Sequence, residues 1–415
     1  MRQGRMVRWM AGLFMLMMGG VMTQDAHAIA AWARKYGVDC KSCHTAGFKL
    51  SAMGQDFLRA GHQIFGNAGE SGFDKQASVT AKIRAYMNRS NTGGSIVDGS
   101  SFEHHAFSFY GGGPLDSGFS YFVEQYFAEN TGKTGPLSKT DTTSGDFTGD
   151  YNRSKLAEAY LQYLTGSEDG YLSFRAGQVA PSLLHLHGVG ARLSQDRPLY
   201  FGKTVGDNPY RVFTRQYGVT AAKKINDLFV EIGLVNGTGA ATTNRIDNDW
   251  GKDFWGTIDY TFDGMGSMLG LFGYKGFYPV AIDKPTSYSS GDSFYQVGFA
   301  GNLTMNQGAL VGAAFMQNDA YTTAAAVNTS VNSLGGYLEV QYYLNDTWQP
   351  YLRGDYFDKD GSVSNNEELG ATLGVNWKVL EHGRFVFHVN HMITNPGGAS
   401  EKTTNQALLE MHWMY

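Results

Sequence analysis

Two cysteines, the only ones among the 415 residues, stand three positions apart and are followed directly by a histidine. They are Cys40 and Cys43, with His44 next, in the stretch GVDCKSCHTAG. Two thiols at this spacing can both form thioether bonds to one haem, and an adjacent imidazole can ligate its iron. The pattern predicts one haem c, anchored covalently by Cys40 and Cys43, with His44 as the proximal iron ligand.

A structural disulfide and a thioredoxin-like redox pair are the alternatives for the same cysteine spacing. A thioredoxin-like pair is expected in a βαβ setting, and the flanking residues do not have that pattern. The histidine directly after the second thiol favours haem attachment over both alternatives.

The first 28 residues predict export from the cytoplasm. Three arginines precede an apolar run from Trp9 to Met22, and Ala26-His27-Ala28 has the form of a signal-peptidase site. This order is typical of a secretory signal peptide, whereas a membrane-spanning helix needs about 20 apolar residues. We therefore expect residues 1–28 to be removed near Ala28.

The sixth iron ligand is left open by the sequence. The segment LSAMGQDFLRAGHQIF, from Leu50 to Phe65, has apolar residues at helical spacing, as expected for a helix that packs on an apolar macrocycle. Met53 and His62 are both acceptable haem ligands within it. A core methionine, a surface histidine and an open or water-bound site are the alternatives.

The rest of the chain alternates in polarity. It contains no apolar run after the signal long enough for a spanning helix, although 42% of all residues are hydrophobic. Instead, the stretch from Ser293 to Met305 puts apolar residues at every second position, which is the period of a β-strand. About sixteen such runs follow residue 76, each as long as a tilted transmembrane strand. The sequence predicts an all-β fold: a transmembrane antiparallel β-barrel of about 16 strands over residues 76–415, with a small α-helical cytochrome c segment over residues 29–75 that plugs it.

The connections between the predicted strands also alternate. Short turns such as Asn345-Asp346 interleave with longer polar stretches such as Thr131 to Ser154 and Pro181 to Tyr210, which we expect to be external loops. The charged residues expected to face the lumen carry both signs, and so predict a hydrated bore without strong charge selectivity. These residues are Lys82, Arg84, Glu158, Arg175, Asp259, Glu339, Arg353, Asp355 and Lys378.

One further metal site is conceivable in the stretch SLLHLHG. His185 and His187 are two positions apart, so in an extended stretch both would face the same way. Two histidines at this spacing, with no further ligand nearby in the sequence, more often bind no metal.

The haem motif and its surroundings resemble a known family. The stretch ARKYGVDCKSCHTAGFKLSAMGQDFLRAGHQI, residues 33–64, ahead of a barrel resembles the monohaem cytochrome c–porin fusions of the outer membrane, the iron oxidases of iron-oxidising bacteria. The specific part of this resemblance is short, and over the barrel it is architectural only.

That resemblance implies a function and partners. It implies localisation in the bacterial outer membrane, oxidation of extracellular Fe(II) or another small electron donor, and transfer of the electrons to a periplasmic c-type cytochrome, with no nucleic acid partner. The alternatives are a passive porin with a haem appendage and a conduit that carries electrons outward to external acceptors.

Overall fold

A computed structural model describes residues 30–46, 49–129, 155–187, 192–194, 196–206, 208, 210–212, 215–237, 251–278, 292–319, 330–380, 382–395 and 400–415. The predicted signal peptide, residues 1–28, lies outside these residues. None of the helices in this part of the chain is long and apolar enough to cross a membrane.

The N-terminal segment is small and mainly helical, as predicted. It contains helices α1 (Ala30–Tyr36), α2 (Cys40–Cys43) and α3 (Ala52–Arg59), and a 3-10 turn at Phe73–Lys75. Two very short strands, β1 (His44–Ala46) and β2 (Lys49–Leu50), pair antiparallel between α2 and α3.

The rest of the chain forms a closed barrel in which every strand pairs antiparallel with its neighbours in sequence, and the last strand pairs with the first. This confirms the predicted barrel and its sixteen strands. The strands are β3 (Ala77–Thr92), β4 (Ser95–Pro114), β5 (Phe119–Glu129), β6 (Lys155–Ser167), β7 (Gly170–Val179), β8 (Gln216–Ile225), β9 (Leu228–Val235), β10 (Asp253–Thr261), β11 (Met268–Tyr278), β12 (Asp292–Met305), β13 (Gly308–Asp319), β14 (Val331–Tyr342), β15 (Trp348–Asp358), β16 (Glu367–Leu380), β17 (Gly383–Thr394) and β18 (Lys402–Met414).

The two faces of the barrel differ as the alternation predicts. On β12, Val297 and Phe299 are 42% and 51% exposed on the outer face. Gln296, the residue before Val297, points the other way and is buried in the lumen. An apolar outer face needs lipid around it, and polar inner residues need partners or water. The nine charged residues predicted to face the lumen all lie on the inner face of the barrel.

The N-terminal segment lies inside the end of the barrel where the strands are joined by short turns. The backbone N–H of Ala52, at the start of α3, donates to the carbonyl of Gly264 in the β10–β11 turn. At the other end of α3, Arg59 forms a buried ion pair of 2.9 Å with Asp259 on the inner wall. Because both ends of α3 are attached to the barrel, the segment plugs the bore.

The connection between β7 and β8 also fills the bore. We call its described residues between 180 and 215 the inward loop; it includes helix α4 (Ser182–His185) and a 3-10 turn at Leu199–Gly202. Tyr200 stacks on Phe315 of β13 at 5.3 Å, and Tyr210 packs on Tyr274 of β11 at 4.4 Å. Pro181 to Tyr210 was expected to be an external loop, and it does connect β7 and β8 at the end of the barrel that has the long connections. It folds into the bore rather than outward, because most of its aromatic and leucine side chains are buried against the inner wall. The other predicted long loop, Thr131 to Ser154, lies outside the described residues.

Candidate functional site

The predicted haem motif forms a single helical turn followed by a strand. Asp39 caps helix α2 by accepting a hydrogen bond from the backbone N–H of Lys41 at 2.8 Å. The N–H of His44 donates to the carbonyl of Cys40, so the turn ends at the histidine. His44 then pairs with Leu50 across β1 and β2. This arrangement fixes the backbone of both cysteines and of the histidine in one compact unit.

Helix α3 is packed directly onto that unit. Ser51 links the two, because its backbone N–H donates to the carbonyl of Cys43 and its hydroxyl donates to the carbonyl of Ser42 at 2.7 Å. A Cβ atom at Gly54 would lie 2.1 Å from the Cys43 carbonyl oxygen, so no larger residue fits without movement of one backbone. The glycine therefore allows the close approach of α3 to the motif.

The motif lines a cavity of about 840 Å³ between the plug and the barrel wall. This volume is within the range of sites for drug-sized ligands and cofactors. Cys40, Cys43 and His44 lie at one side of the cavity, and the plug adds mostly apolar groups beside them. These groups are Trp32, Tyr36, Leu50, Phe57, Leu58 and Ile64.

The two cysteines are half-buried and form no disulfide with each other. Burial, with the neighbouring Cys40, raises the pKa of the Cys43 thiol to about 11. A protonated thiol differs from the thiolate of low pKa that dithiol redox pairs use. The thioredoxin-like alternative thus receives no support from the surroundings of Cys43.

His62, one of the two predicted distal ligands, lies in an aromatic sandwich on the same cavity. Its ring stacks on Trp32 at 4.2 Å and on Phe122 of β5 at 4.7 Å, and the side chain is buried. Within the described part of the chain, neither ring nitrogen has a hydrogen-bond partner. Burial, with the positive charge of Arg175 and the nearby His185, holds the pKa of His62 well below its ordinary value. The imidazole is therefore neutral.

Met53, the other predicted distal ligand, lies elsewhere. Its side chain is 37% exposed and is not among the residues that line the cavity. It is the second residue of α3, next to the β10–β11 turn, whereas His62 follows the end of that helix. Of the two candidates, only His62 shares a cavity with His44.

The histidine pair of the inward loop does not have the predicted arrangement. His185 belongs to helix α4 and lines the cavity, whereas His187 is fully buried, is not among the lining residues, and bonds through Nδ1 to the Leu183 carbonyl at 3.0 Å. The expectation of an extended stretch is wrong, since these residues follow a helical turn. Across the described ranges, no group of three or more histidine, cysteine, aspartate or glutamate side chains is placed to hold a metal ion.

The inner wall of the barrel around the cavity is highly charged. Arg215 of the inward loop pairs with Glu124 at 2.7 Å and with Glu158 at 3.0 Å, and Arg353 of β15 pairs with Asp355 at 2.7 Å. These pairs agree with the predicted mixture of signs in the lumen. The inward loop and the aromatic partner Phe122 were not predicted as parts of the site, since strand pairing and loop direction are needed to bring them there.

The cavity continues away from the plug along one side of the barrel. Its lining includes Asn390 and Met392 of β17 and Gln406 of β18, which lie toward the strand ends joined by the longer connections. Short turns face the periplasm and long connections face outside in outer-membrane barrels. The cavity therefore extends from the predicted haem motif into the extracellular half of the barrel.

Known proteins resemble the barrel. The family described as phosphate-selective porin O and P matches residues 284–415. Among solved structures, an anion-selective porin from Comamonas acidovorans has a TM-score of 0.55 at 9% identity over 81% of this chain and 98% of its own. The outer-membrane channel DcaP of Acinetobacter baumannii has a TM-score of 0.55 at 13% identity over 82% and 97%. OmpT of Vibrio cholerae has a TM-score of 0.51 at 11% identity over 82% and 97%. No curated protein matches by sequence.

These similarities show the porin fold, and the apolar outer face shows what surrounds it. A closed barrel with an apolar exterior and a polar lumen is the architecture of outer-membrane channels. The chain is a porin-like barrel of the bacterial outer membrane.

Proposed function

We propose that this barrel carries electrons across the outer membrane through one haem c, with soluble extracellular Fe(II) as donor and a periplasmic c-type cytochrome as acceptor. One observation carries the proposal: Cys40, Cys43 and His44 line a cavity inside the barrel that extends toward the extracellular end. An apolar belt of about 25 Å separates the two sides of the membrane, so a redox group within the bore shortens the distance that electrons must cross.

The residues present fit a haem. Two thiols at the attachment spacing, an imidazole directly after them and a set of apolar side chains all line one cavity of sufficient volume. Bound there, a haem would supply one-electron chemistry at its iron. Cys40 and Cys43 would hold it, His44 would ligate the iron, and Trp32 and Phe57 would exclude water from its apolar edge.

His62 is the better supported of the two predicted distal ligands. Its ring is neutral, is held by stacking on both faces and lies on the cavity. A neutral imidazole has a lone pair with which to bind iron. Met53 lies outside that lining, so the proposal assigns it no role at the iron.

The position at which the plug is attached favours electron transfer toward the periplasm. Lys41, between the two cysteines, pairs at 2.8 Å with Asp346 in a short turn, and both side chains are exposed. The motif is therefore near the periplasmic rim, where a soluble cytochrome can approach. An external donor would reach the same motif through the cavity along β17 and β18.

A passive porin is the second candidate function, and the porin comparisons favour it. In that case the chain would let small solutes through, as the names of the anion-selective and phosphate-selective relatives suggest for those proteins. The plug and the inward loop oppose free passage, because both fill the bore. An outward electron conduit is the third candidate, and it needs the same haem at a lower potential.

The deciding experiment uses the purified full chain in detergent. We expect Fe(II) to reduce its haem rapidly, and His44→Ala to abolish this reduction while the barrel stays folded. The conservative control is Met53→Leu, which should keep the reduction. A haem that Fe(II) does not reduce at any pH where iron is soluble contradicts the iron-oxidation proposal. Large open-channel conductance in planar bilayers, with no haem bound, would favour the passive porin.

A further inference from the structure

The turn that follows helix α3 holds His62 in a backbone conformation that few residues other than glycine adopt. Gly61 and His62 have φ angles of 74° and 61°, both in the left-handed region. The backbone N–H of His62 donates to the Phe57 carbonyl at 2.9 Å, and the His62 carbonyl accepts from the Tyr36 hydroxyl at 2.9 Å. Both polar groups of the His62 backbone are therefore bonded within the plug, which fixes this conformation.

The barrel wall contacts the same turn at two inward positions of β5. A Cβ atom at Gly61 would lie 2.1 Å from Oγ of Ser120, so the turn is packed directly on the strand. Two residues further along β5, the Phe122 ring stacks on the His62 ring at 4.7 Å, with 22° between the planes. Residues two apart on a strand face the same side. One short stretch of β5 therefore contacts both the backbone of the turn and the imidazole.

Trp32 of helix α1 covers the other face of the imidazole. Its ring lies 4.2 Å from the ring of His62, again at 22°, and its Nε1 donates to the carbonyl of Gly112 on β4 at 2.9 Å. The second stacking partner is thus itself bonded to the barrel. Because His62 is only 1% exposed between two rings, its imidazole cannot turn unless one of the rings moves.

The imidazole that is held in this way lacks a polar partner. Among the described residues, neither Nδ1 nor Nε2 of His62 has a hydrogen-bond partner, and a buried polar group without one costs free energy. Left-handed backbone of this kind persists where the surroundings determine it, and it is concentrated at functional sites. His62 lines the cavity that Cys40, Cys43 and His44 also line, so an iron held there would give one ring nitrogen its partner.

We propose that the barrel wall positions the distal ligand: Ser120 and Phe122 of β5 hold the imidazole of His62 in the orientation in which it ligates the haem iron. Phe122 is a positioning residue, because it acts through His62. The iron then has its sixth ligand only while the turn after α3 is packed on β5, so docking of the plug completes the coordination. The inference rests on the proposed haem, and it is independent of the electron donor and of the direction of electron flow.

The test measures how readily carbon monoxide replaces His62 in the purified full chain reduced with dithionite. Carbon monoxide binds a six-coordinate ferrous haem only when the distal ligand has dissociated, so its binding rate reports the fraction of open sites. Phe122→Leu removes one stacking ring, and we expect binding to be about three- to tenfold faster and the midpoint potential to shift. Gly61→Ala should act in the same direction, because its Cβ would collide with Ser120. Phe122→Tyr keeps the ring and should stay near the wild type.

The matched control is Phe127→Leu, which removes a ring from the outer face of the same strand, where the side chain is 48% exposed. It should change neither the binding rate of carbon monoxide nor the potential. The β-sheet circular dichroism and the heat-modified gel mobility report whether each variant is folded.

The proposal is overturned if Phe122→Leu and Gly61→Ala match Phe127→Leu in both measurements in folded, haem-loaded protein. It is also overturned if His62→Ala leaves the binding rate unchanged. None of these measurements uses Fe(II). A haem that shows the expected binding rates but is not reduced by Fe(II) contradicts the iron-oxidation proposal alone, whereas a chain that carries no haem contradicts both.

Discussion

The ion pair between Arg59 and Asp259 should decide whether the plug stays in the barrel. Arg59 is 2% exposed, its Nη2 lies 2.9 Å from an oxygen of Asp259, and its guanidinium lies 4.1 Å from the ring centroid of Phe229. The change to test is Asp259→Asn, which leaves the guanidinium buried without a counter-charge. Breaking a buried pair by removal of one partner costs about 3–5 kcal/mol.

That cost acts on the docking of the plug. The carbonyl of Arg59 also accepts hydrogen bonds from Gln162 and Arg175, so the residue attaches the end of α3 at several points. A cost of this size shifts the equilibrium between the docked and released plug by about two to four orders of magnitude. We expect a rise in the open fraction of single channels in planar bilayers, and faster cleavage of the plug by added protease.

Two comparisons separate this effect from general damage. Asp346→Asn removes the partner of Lys41 in a pair that is 50% and 72% exposed, so its effect should be below about 1 kcal/mol. The double variant Arg59→Met, Asp259→Leu should restore much of the docking, because a buried pair replaced by apolar groups is often nearly neutral. The reasoning is refuted if Asp259→Asn leaves conductance and cleavage unchanged in a folded barrel, or matches Asp346→Asn.

Three further outcomes concern the motif. The full chain should keep a c-type absorption band and a peroxidase stain after denaturation, and Cys40→Ser with Cys43→Ser should lose both; a stain that persists in the double variant contradicts covalent attachment. Gly54→Ala should reduce haem incorporation, because its Cβ would lie 2.1 Å from the Cys43 carbonyl oxygen, and unaltered haem content at equal expression would count against this packing. His62→Ala should change the haem spectrum and midpoint potential while Met53→Leu should not, since the axial ligand sets the potential; the reverse result would exclude His62 as a ligand.

The barrel could be predicted from the sequence because alternation is a local signal. Successive side chains of a strand point to opposite faces, so a strand with one apolar and one polar face shows polar and apolar residues in alternation. In lipid, a closed sheet is the one arrangement that pairs the backbone hydrogen-bonding groups of all such strands. The run from Ser293 to Met305 shows this directly, since β12 occupies Asp292–Met305. The same local signal gave the inward direction of charged residues such as Arg353 and Asp355.

The inward loop could not be predicted because its direction is a tertiary property. Leu183, Leu184 and Tyr200 lie in a stretch without strand periodicity, and the same composition suits a loop that packs on itself outside. Their burial depends on apolar partners in the lumen, such as Phe315, which also follow the strand pattern. Only the closed barrel brings the two sets together.

Residues that meet across the closure of the barrel show the same limit. Lys82 and His412 are 330 residues apart in the chain (412 − 82) and become neighbours through the pairing of the first and last strands. From the sequence alone, each of the two is only one of many polar residues that are predicted to face the lumen. The contact between them appears only when the register across the closure is known.

The plug and the inward loop leave a cavity on one side of the barrel, and the predicted haem motif lies beside this cavity. The inward loop packs mainly on β10 to β15, where Tyr210 and Tyr200 meet aromatic side chains of the wall. The cavity borders β3, β4, β5 and β15 to β18 together with part of the inward loop, and reaches the motif at its periplasmic end. The space left beside the plug therefore lies mainly along the side formed by β3, β4, β5 and β15 to β18. Side chains of β17, β18 and β3 thus line the same cavity as Cys40, Cys43 and His44, and any species that reaches the motif through this cavity must pass them.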